Sequence, residues 1–348
     1  MIQADYKPYL LEFKQPSGTS RGILHHKLSY FIRIQESGRE GFGEVGVLQG
    51  LSCDDVPELE DQIRWTTQNI ALGLEELYAL NWRFPSIQFA LEQAFSHLAN
   101  GFEHFSSPFT SDQAPQKING LIWMGDRDFM MDQISKRLSE GFTTLKMKVG
   151  AISWESERDL LKYIRDRFDT KELEIRVDAN GAFGLDQAIT VSAFLKEIGV
   201  HSIEQPLPAK AHKELQSAAQ KMHIPIALDE SLIGVFHKED KIKLLDEIMP
   251  EYIILKPSFI GGWKGSEEWI SLAQERGIGW WATSALESNL GLNAIAQWAY
   301  IQENPIPQGL GTGSLYTNNI PAPLHVYGGE LTIRKDGESW DLSPLGFK

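Results

Sequence analysis

The stretch that most constrains this chain is residues 144–150, which read Thr-Leu-Lys-Met-Lys-Val-Gly. The run has the character of a buried parallel strand, and such strands are almost continuously hydrophobic because helices cover both faces of the sheet. Since residues i and i+2 of a strand face the same side, Lys146 and Lys148 point together, and the apolar residues between and beside them point the opposite way. Burying an unpaired ammonium group is costly. The sequence should therefore supply carboxylates opposite the two lysines.

The chain around this stretch alternates between strand-like and helix-like segments from about residue 117 onward. Strands are predicted near residues 118–124, 144–149, 174–179, 202–205, 225–228, 252–255, 278–283 and 308–310. Eight strands separated by helices match a closed barrel better than an open sheet, which usually has fewer strands. The predicted fold class is therefore α/β, with a TIM-like (β/α) barrel over residues 109–319.

Residues 1–108 follow a different pattern, which predicts an α+β capping domain. Strands at 24–35 and 41–48 flank a Gly-containing turn and indicate an antiparallel hairpin. A helix with an Asp cap is predicted from Asp54 toward residue 71, and a second from Ser86 to about residue 99. Residues 16–22 form a turn-rich loop that we interpret as a lid. The tail, 320–348, carries a hairpin signal at 335–338 and is expected to pack on this domain.

Composition limits the partners of the chain. The 348 residues carry a formal net charge of −14 and no basic stretch, which argues against binding to nucleic acid or to an anionic membrane surface. Cys53 is the only cysteine, so an internal disulfide and a thiolate metal cluster are excluded. No secretion signal or membrane span is evident, and a cytoplasmic location is expected. The oligomeric state is left open.

Carboxylates of the kind that the two lysines require end the next three predicted strands. They are Asp178, Glu204 and Asp229, and Lys256 ends the strand after those. From Lys148 onward, the successive separations along the chain are 30, 26, 25 and 27 residues, so one charged residue recurs in each βα unit. Adjacent strands of a barrel would bring these side chains together at its mouth, where the catalytic residues of this fold collect.

Three carboxylates with no sulfur or histidine nearby suit a hard cation with oxygen ligands. Mg²⁺ is favoured because it keeps coordination positions for water or substrate, and Mn²⁺ could substitute for it. The alternative is a structural layer of ion pairs that fills the barrel interior. Five charged residues on consecutive strand ends favour the functional interpretation.

The motifs Lys-x-Lys, Asp-x-Asn, Glu-x-Pro, Asp-Glu-Ser and Lys-Pro-Ser, in this order, resemble the muconate-lactonising subgroup of the enolase superfamily over nearly the whole chain. The resemblance implies a (β/α)₇β barrel with a capping domain, a bound Mg²⁺, and abstraction of a proton α to a carboxylate. It also implies roles for six residues. These are Asp178, Glu204 and Asp229 as metal ligands, Lys148 and Lys256 as an acid/base pair, and Lys146 as a supporting cation.

Residues 284–292 and 309–319 resemble the o-succinylbenzoate synthase family of menaquinone biosynthesis, which implies a small-molecule carboxylate substrate and its dehydration. Racemisation or epimerisation of N-acylamino acids or dipeptides at the same site is the alternative, because both lysines are present. A third interpretation is that the chain is a catalytically silent scaffold that binds a metal and a carboxylate. The residues expected to contact substrate are Ser20, Arg21, Asn180, Ser284, Glu287, Gly311 and Thr312.

Overall fold

The computed structural model describes residues 1–19 and 22–348 and begins with a three-stranded antiparallel sheet. Its strands are β1 (Gln3–Thr19), β2 (Gly22–Glu36) and β3 (Arg39–Val45), in that order across the sheet. The hairpin predicted around residues 36–40 is confirmed. The sequence predicts a loop at 16–22, but residues 16–19 belong to β1, which pairs again with β2 after an irregularity between Glu12 and Ser17. Ser20 and Arg21, and with them the tip of the predicted lid, lie outside the described residues.

Three helices complete the N-terminal region: α1 (Leu59–Gln68), α2 (Leu74–Leu80) and α3 (Pro85–Asn100). The prediction that Asp54 caps the first of them is wrong. Helix α1 begins five residues later, and its N-cap residue makes no capping hydrogen bond through its side chain. Asp54 instead accepts hydrogen bonds from the backbone and hydroxyl groups of Ser86, in the first turn of α3. A carboxylate can accept hydrogen bonds from the first turn of any helix within reach, and that helix need not be the next one in the sequence.

Helix α3 packs tightly against β3. A Cβ atom added at Gly43 would overlap the carbonyl oxygen of Ala90, and one at Gly41 would overlap that of Ala94. Both positions therefore need glycine for this close approach of helix and sheet. The sheet and the three helices bury an apolar cluster of their own, separate from the main core.

The rest of the chain contains a parallel sheet of seven strands in sequential order. Preceded by the short β4 (Gln116–Lys117), they are β5 (Gly120–Ile122), β6 (Thr144–Lys148), β7 (Glu174–Asp178), β8 (Ser202–Glu204), β9 (Ile226–Leu228), β10 (Tyr252–Leu255) and β11 (Gly279–Ala282). Parallel bridges from Thr283 to Gly309 and from Ile118 to Gln308 complete the ring. The barrel fold is confirmed, with its eighth strand reduced to these two bridges.

Helices follow the barrel strands in regular alternation. They are α4 (Arg127–Ser139), α5 (Trp154–Arg165), α6 (Leu185–Glu197), α7 (His212–Lys221), α8 (Lys238–Ile248), α9 (Pro257–Ile260), α10 (Gly262–Gln274) and α11 (Asn289–Ile301). The apolar residues of β6 belong to the main core, as the alternation in residues 144–150 predicts. No helix in the described ranges is both long and apolar enough to cross a bilayer.

The C-terminal tail divides into two parts. The hairpin of β12 (Leu324–Tyr327) and β13 (Glu330–Ile333) turns at the glycines between the strands, both with positive φ, and not at residues 335–338 as predicted. Glycine supplies the left-handed conformation that a two-residue hairpin loop requires, and no strand follows the later turn.

The two parts of the tail pack against different regions. Strand β13 pairs with β4, so the hairpin lies against the barrel and not against the N-terminal region as expected. The last residues do reach that region. Trp340 stacks on Phe102 at a ring separation of 4.2 Å, and Arg33 of β2 lies over the ring of Phe347.

Candidate active site

The two lysines of β6 lie beside the carboxylates that end the neighbouring strands. Lys146 is buried, and its Nζ lies 3.0 Å from Asp178 Oδ2 and 2.9 Å from Glu204 Oε2. Lys148 Nζ lies 3.2 Å from the same Asp178 oxygen. The strand register explains this grouping, because Lys148 is opposite Asp178 across β6 and β7, and Asp178 is opposite Glu204 across β7 and β8. The cost of burying the ammonium groups is therefore offset by paired carboxylates.

Asp229 and Lys256 extend the group around the barrel mouth. Asp229 directly follows β9 and is buried, and Lys256 directly follows β10. The Lys256 ammonium group forms an ion pair with Asp229. All six charged residues predicted for the site thus occur as three lysines and three carboxylates at the C-terminal ends of adjacent strands.

Proton affinity differs among the three carboxylates. Burial alone would raise the pKa of Asp178, but the charges of the three lysines outweigh it and hold this pKa well below the ordinary value. Burial, together with the negative charge of Asp178, raises the pKa of Glu204 to about 8, although Lys146 acts in the opposite direction. Burial also raises the pKa of Asp229, against the attraction of Lys256. Glu204 and Asp229 would therefore gain from additional positive charge beside them.

The donor chemistry of this group fits a divalent cation. Its three carboxylates are buried and supply only oxygen, which is the ligand type that hard cations prefer. Lys146 already brings one positive charge to oxygens of both Asp178 and Glu204. As they stand, no three Asp, Glu, His or Cys side chains in the described part of the chain are arranged to hold a metal ion. Binding would require Asp229 to exchange its lysine partner for the cation.

A chain of hydrogen bonds fixes the position of Lys148. Its Nζ donates to Asn180 Oδ1 at 2.6 Å, and Asn180 Nδ2 donates to Glu230 Oε1 at 2.9 Å. Asn180 has a φ of +45°, and its backbone N–H donates to Asp178 Oδ1. Asparagine adopts this left-handed conformation more readily than most residues. The Asp-x-Asn motif therefore places both a carboxylate and an amide against the lysine.

A cavity of about 380 Å³ lies above the charged group. Its polar end contains Lys146, Lys148, Asp178, Asn180, Glu230 and Lys256. The N-terminal region contributes residues 22–24 and 48–51, most of them apolar, and the barrel adds further apolar side chains such as Leu121, Trp123 and Phe259. Such a combination of apolar walls and a few convergent polar groups is typical of small-molecule sites.

The residues predicted to contact substrate occupy three kinds of position. Four of them line the cavity: Asn180, Ser284, Gly311 and Thr312. Glu287 lies behind the wall. It is fully buried, and it accepts hydrogen bonds from the Ser258 hydroxyl and the Ala285 backbone N–H. Ser20 and Arg21 are outside the described residues.

Several cavity residues were not anticipated from the sequence. Glu230 directly follows Asp229, a predicted metal ligand. Two successive acidic residues at the end of a strand could have indicated that Glu230 also lies at the site. Leu48 and the residues after it carry no chemical signal, because an apolar wall residue has the same sequence character as a core residue.

Comparison with known proteins identifies the family. Residues 130–337 match the family described as Enolase C-terminal domain-like. The o-succinylbenzoate synthase of Desulfotalea psychrophila is 42% identical over an alignment of 365 residues, which covers 95% of this chain and 99% of that protein. The crystal structure of MenC from Desulfotalea psychrophila superposes with a TM-score of 0.84 at 39% identity, over 95% of this chain and 99% of that one.

A dipeptide epimerase from Cytophaga hutchinsonii, complexed with Mg and the dipeptide D-Ala-L-Val, also has a TM-score of 0.84. It covers 99% of this chain and 97% of its own, but at 20% identity it supports the fold alone. The chain therefore belongs to the enolase superfamily of metal-dependent enzymes and, within it, to the family that includes the o-succinylbenzoate synthase of Desulfotalea psychrophila.

Proposed function

We propose that this chain is an o-succinylbenzoate synthase, a carbon–oxygen lyase that removes water from 2-succinyl-6-hydroxy-2,4-cyclohexadiene-1-carboxylate in menaquinone biosynthesis. The observation that carries the proposal is the cavity itself, in which three lysines face an apolar space above three buried carboxylates. A ring carboxylate fits the charged end, and the carbon framework fits the apolar walls. The 42% identity to a synthase over nearly the full length supports the same reaction.

We infer that Asp178, Glu204 and Asp229 hold Mg²⁺, with Mn²⁺ as a substitute. When bound, the cation supplies positive charge that favours removal of a proton from the carbon next to a carboxylate. Lys146, which contacts both Asp178 and Glu204, would favour the ionised forms of these carboxylates and fix their orientation.

Lys148 is the proposed base. Its Nζ lies at the cavity surface, and the amide oxygen of Asn180 fixes its position. The lysine would take the proton from the ring carbon that bears the carboxylate. Departure of the hydroxyl group from the neighbouring carbon then makes the ring aromatic, and for elimination on one face the same ammonium group could return the proton to form water. Lys256 would stabilise the negative charge that develops on the substrate, from the side of the site opposite Lys148.

In this proposal, residues 109–319 form the barrel that carries the charged catalytic residues, and residues 1–108 form the capping domain that covers the cavity. The apolar side chains of residues 23, 24, 48 and 51 line the cavity from the N-terminal region. A cover of this kind excludes water and strengthens the electrostatic interactions beneath it. Residues 340–347 pack on the capping domain, whereas the β12–β13 hairpin packs on the barrel.

We also propose that the protein is located in the cytoplasm.

Racemisation of N-succinylamino acids is the second candidate. One observation favours it, because both Lys148 and Lys256 line the cavity. One lysine would remove the α-proton and the other would return a proton to the opposite face of the same carbon. Such a transfer requires Lys256 to leave Asp229, its partner in this structure.

Removal of the metal tests the proposal. The purified protein is treated with EDTA, and formation of o-succinylbenzoate is followed by its ultraviolet absorbance before and after addition of Mg²⁺. We expect turnover to disappear with the metal and to return with Mg²⁺ or Mn²⁺, because three carboxylates without a cation cannot favour the charge that develops on proton removal. Ca²⁺, a larger cation, serves as the control for nonspecific charge. Turnover that persists without metal would reject the assignment.

A further inference from the structure

The cavity wall contains a residue in an unusual backbone conformation. Leu286 lines the cavity and has a φ of +60°, in the left-handed region. A leucine adopts this conformation only where its surroundings hold it there. The neighbouring Ser284 and Ala285 also line the cavity, so the shape of this turn determines the shape of the wall.

Two donors hold the carbonyl group of Leu286. The hydroxyl of Tyr316 donates to it at 2.6 Å, and Lys27 Nζ donates to it at 3.0 Å. Lys27 belongs to β2 of the N-terminal sheet, whereas Leu286 follows β11 of the barrel. Lys27 is buried and is not among the described residues that line the cavity, so its direct contact with the cavity wall is the hydrogen bond to Leu286.

A buried carboxylate near Lys27 also joins the N-terminal sheet to the barrel. Glu44 of β3 lies 3.8 Å from Lys27 Nζ and accepts hydrogen bonds from the Ser288 hydroxyl and the Gly291 backbone N–H, at the start of α11. Glu287, behind the wall, is buried in the same region.

The chain directly after β3 lies close to the residue that follows Leu286 in the turn. A Cβ atom added at Gly46 would lie 3.2 Å from Glu287 Cγ and 3.5 Å from Lys27 Nζ. A movement of the sheet would therefore be transmitted to the turn.

We propose that Lys27 is a positioning residue that couples the docking of the N-terminal sheet to the shape of the cavity wall, and thereby determines which carboxylates the site accepts. Lys27 makes its hydrogen bond to a backbone carbonyl of a strained turn at the cavity wall, and its carboxylate neighbour is farther away. This inference rests on the proposed function, because it takes the cavity as the substrate site.

The test is Lys27→Met, with Lys241→Met as its matched control. Lys241 is also buried and also faces a carboxylate, Glu268 at 2.6 Å, but it joins α8 to α10 away from the cavity. For Lys27→Met we expect KM for the dehydration substrate to rise about tenfold, with a smaller change in kcat. The ratio of kcat/KM between this substrate and an N-succinylamino acid should also shift. Lys241→Met should change thermal stability and leave KM and the ratio as in the wild type.

A second variant preserves the balance of buried charge. Lys27→Met combined with Glu287→Gln removes one charge of each sign, and Glu287→Gln alone is its control. The double variant should show the same rise in KM and the same shift in the ratio. If a folded Lys27→Met protein or the folded double variant keeps wild-type KM and a wild-type ratio, Lys27 is structural and the inference is overturned.

A crystal structure of the Lys27→Met variant gives a readout that does not depend on activity. Leu286 should leave the left-handed region or become disordered, whereas an unchanged turn would contradict the coupling. A wild-type protein that forms no o-succinylbenzoate would defeat the proposed function, but the geometry of this turn would still test Lys27.

Discussion

The Lys148→Ala variant is expected to form o-succinylbenzoate about 10²–10⁴-fold more slowly than the wild type, the range for loss of a general base. The reason is geometric. Lys148 Nζ reaches the cavity and is held by Asn180 at 2.6 Å, so the chain has placed this amine at a defined point beside the expected substrate carboxylate. Steady-state kinetics at saturating Mg²⁺ measures the effect. The loss should appear in kcat, because the cavity walls that bind the carbon framework are unchanged.

Lys213→Ala is the control for this variant. Lys213 lies on the exposed face of α7 and should tolerate alanine with no change in kcat. Turnover by Lys148→Ala near that of Lys213→Ala would show that another group removes the proton. Circular dichroism of both variants should match the wild type, because Lys148 lies at the edge of the buried charge group and Lys146 keeps its own carboxylates.

The Glu204→Gln variant is expected to lose most of its affinity for Mg²⁺. Outer-shell partners of metal ligands are usually worth about 10–100-fold in affinity, and loss of a direct ligand should cost at least as much. Glu204 is the middle carboxylate of the three strands and contacts Lys146 through both of its oxygens. Calorimetric titration of the metal-free protein with Mg²⁺ measures the change without reference to turnover.

Glu247→Gln provides the comparison, since Glu247 is a solvent-exposed acid on α8 and its loss should leave the titration unaltered. Asp178→Asn and Asp229→Asn should weaken binding in the same direction as Glu204→Gln. If all three variants bind Mg²⁺ with wild-type affinity, these carboxylates are not metal ligands. A loss restricted to one of them would mean that the other two are structural partners of the lysines.

Much of the site follows from the sequence because each charged residue ends a strand of a repeating βα unit. The regular spacing from Lys148 to Lys256 predicts that these residues converge once the strands close into a ring, and the structure brings all of them together. The lysine strand itself behaves as its alternation predicts, with charges on one face and core residues on the other.

Other features depend on contacts between distant parts of the chain and have no local signal. Asp54 precedes one helix in sequence but bonds to the first turn of another. Glu287 has the residue type of a substrate ligand, yet its side chain turns away from the cavity toward Ser258. The tail hairpin pairs with a two-residue strand that sequence periodicity cannot reveal. In the sequence, Lys27 cannot be distinguished from a lysine on an exposed strand. Its contact with the turn after β11 becomes evident only in the folded structure.

One parallel assay on the purified Mg²⁺-loaded protein tests the proposed function most directly. Dehydration of 2-succinyl-6-hydroxy-2,4-cyclohexadiene-1-carboxylate is followed by absorbance, and α-proton exchange of an N-succinylamino acid in D₂O is followed by NMR. We predict efficient formation of o-succinylbenzoate that exceeds the exchange rate and is lost in Lys148→Ala. A protein that exchanges the α-proton of the amino acid but forms no o-succinylbenzoate would contradict the proposed function and favour racemisation in its place.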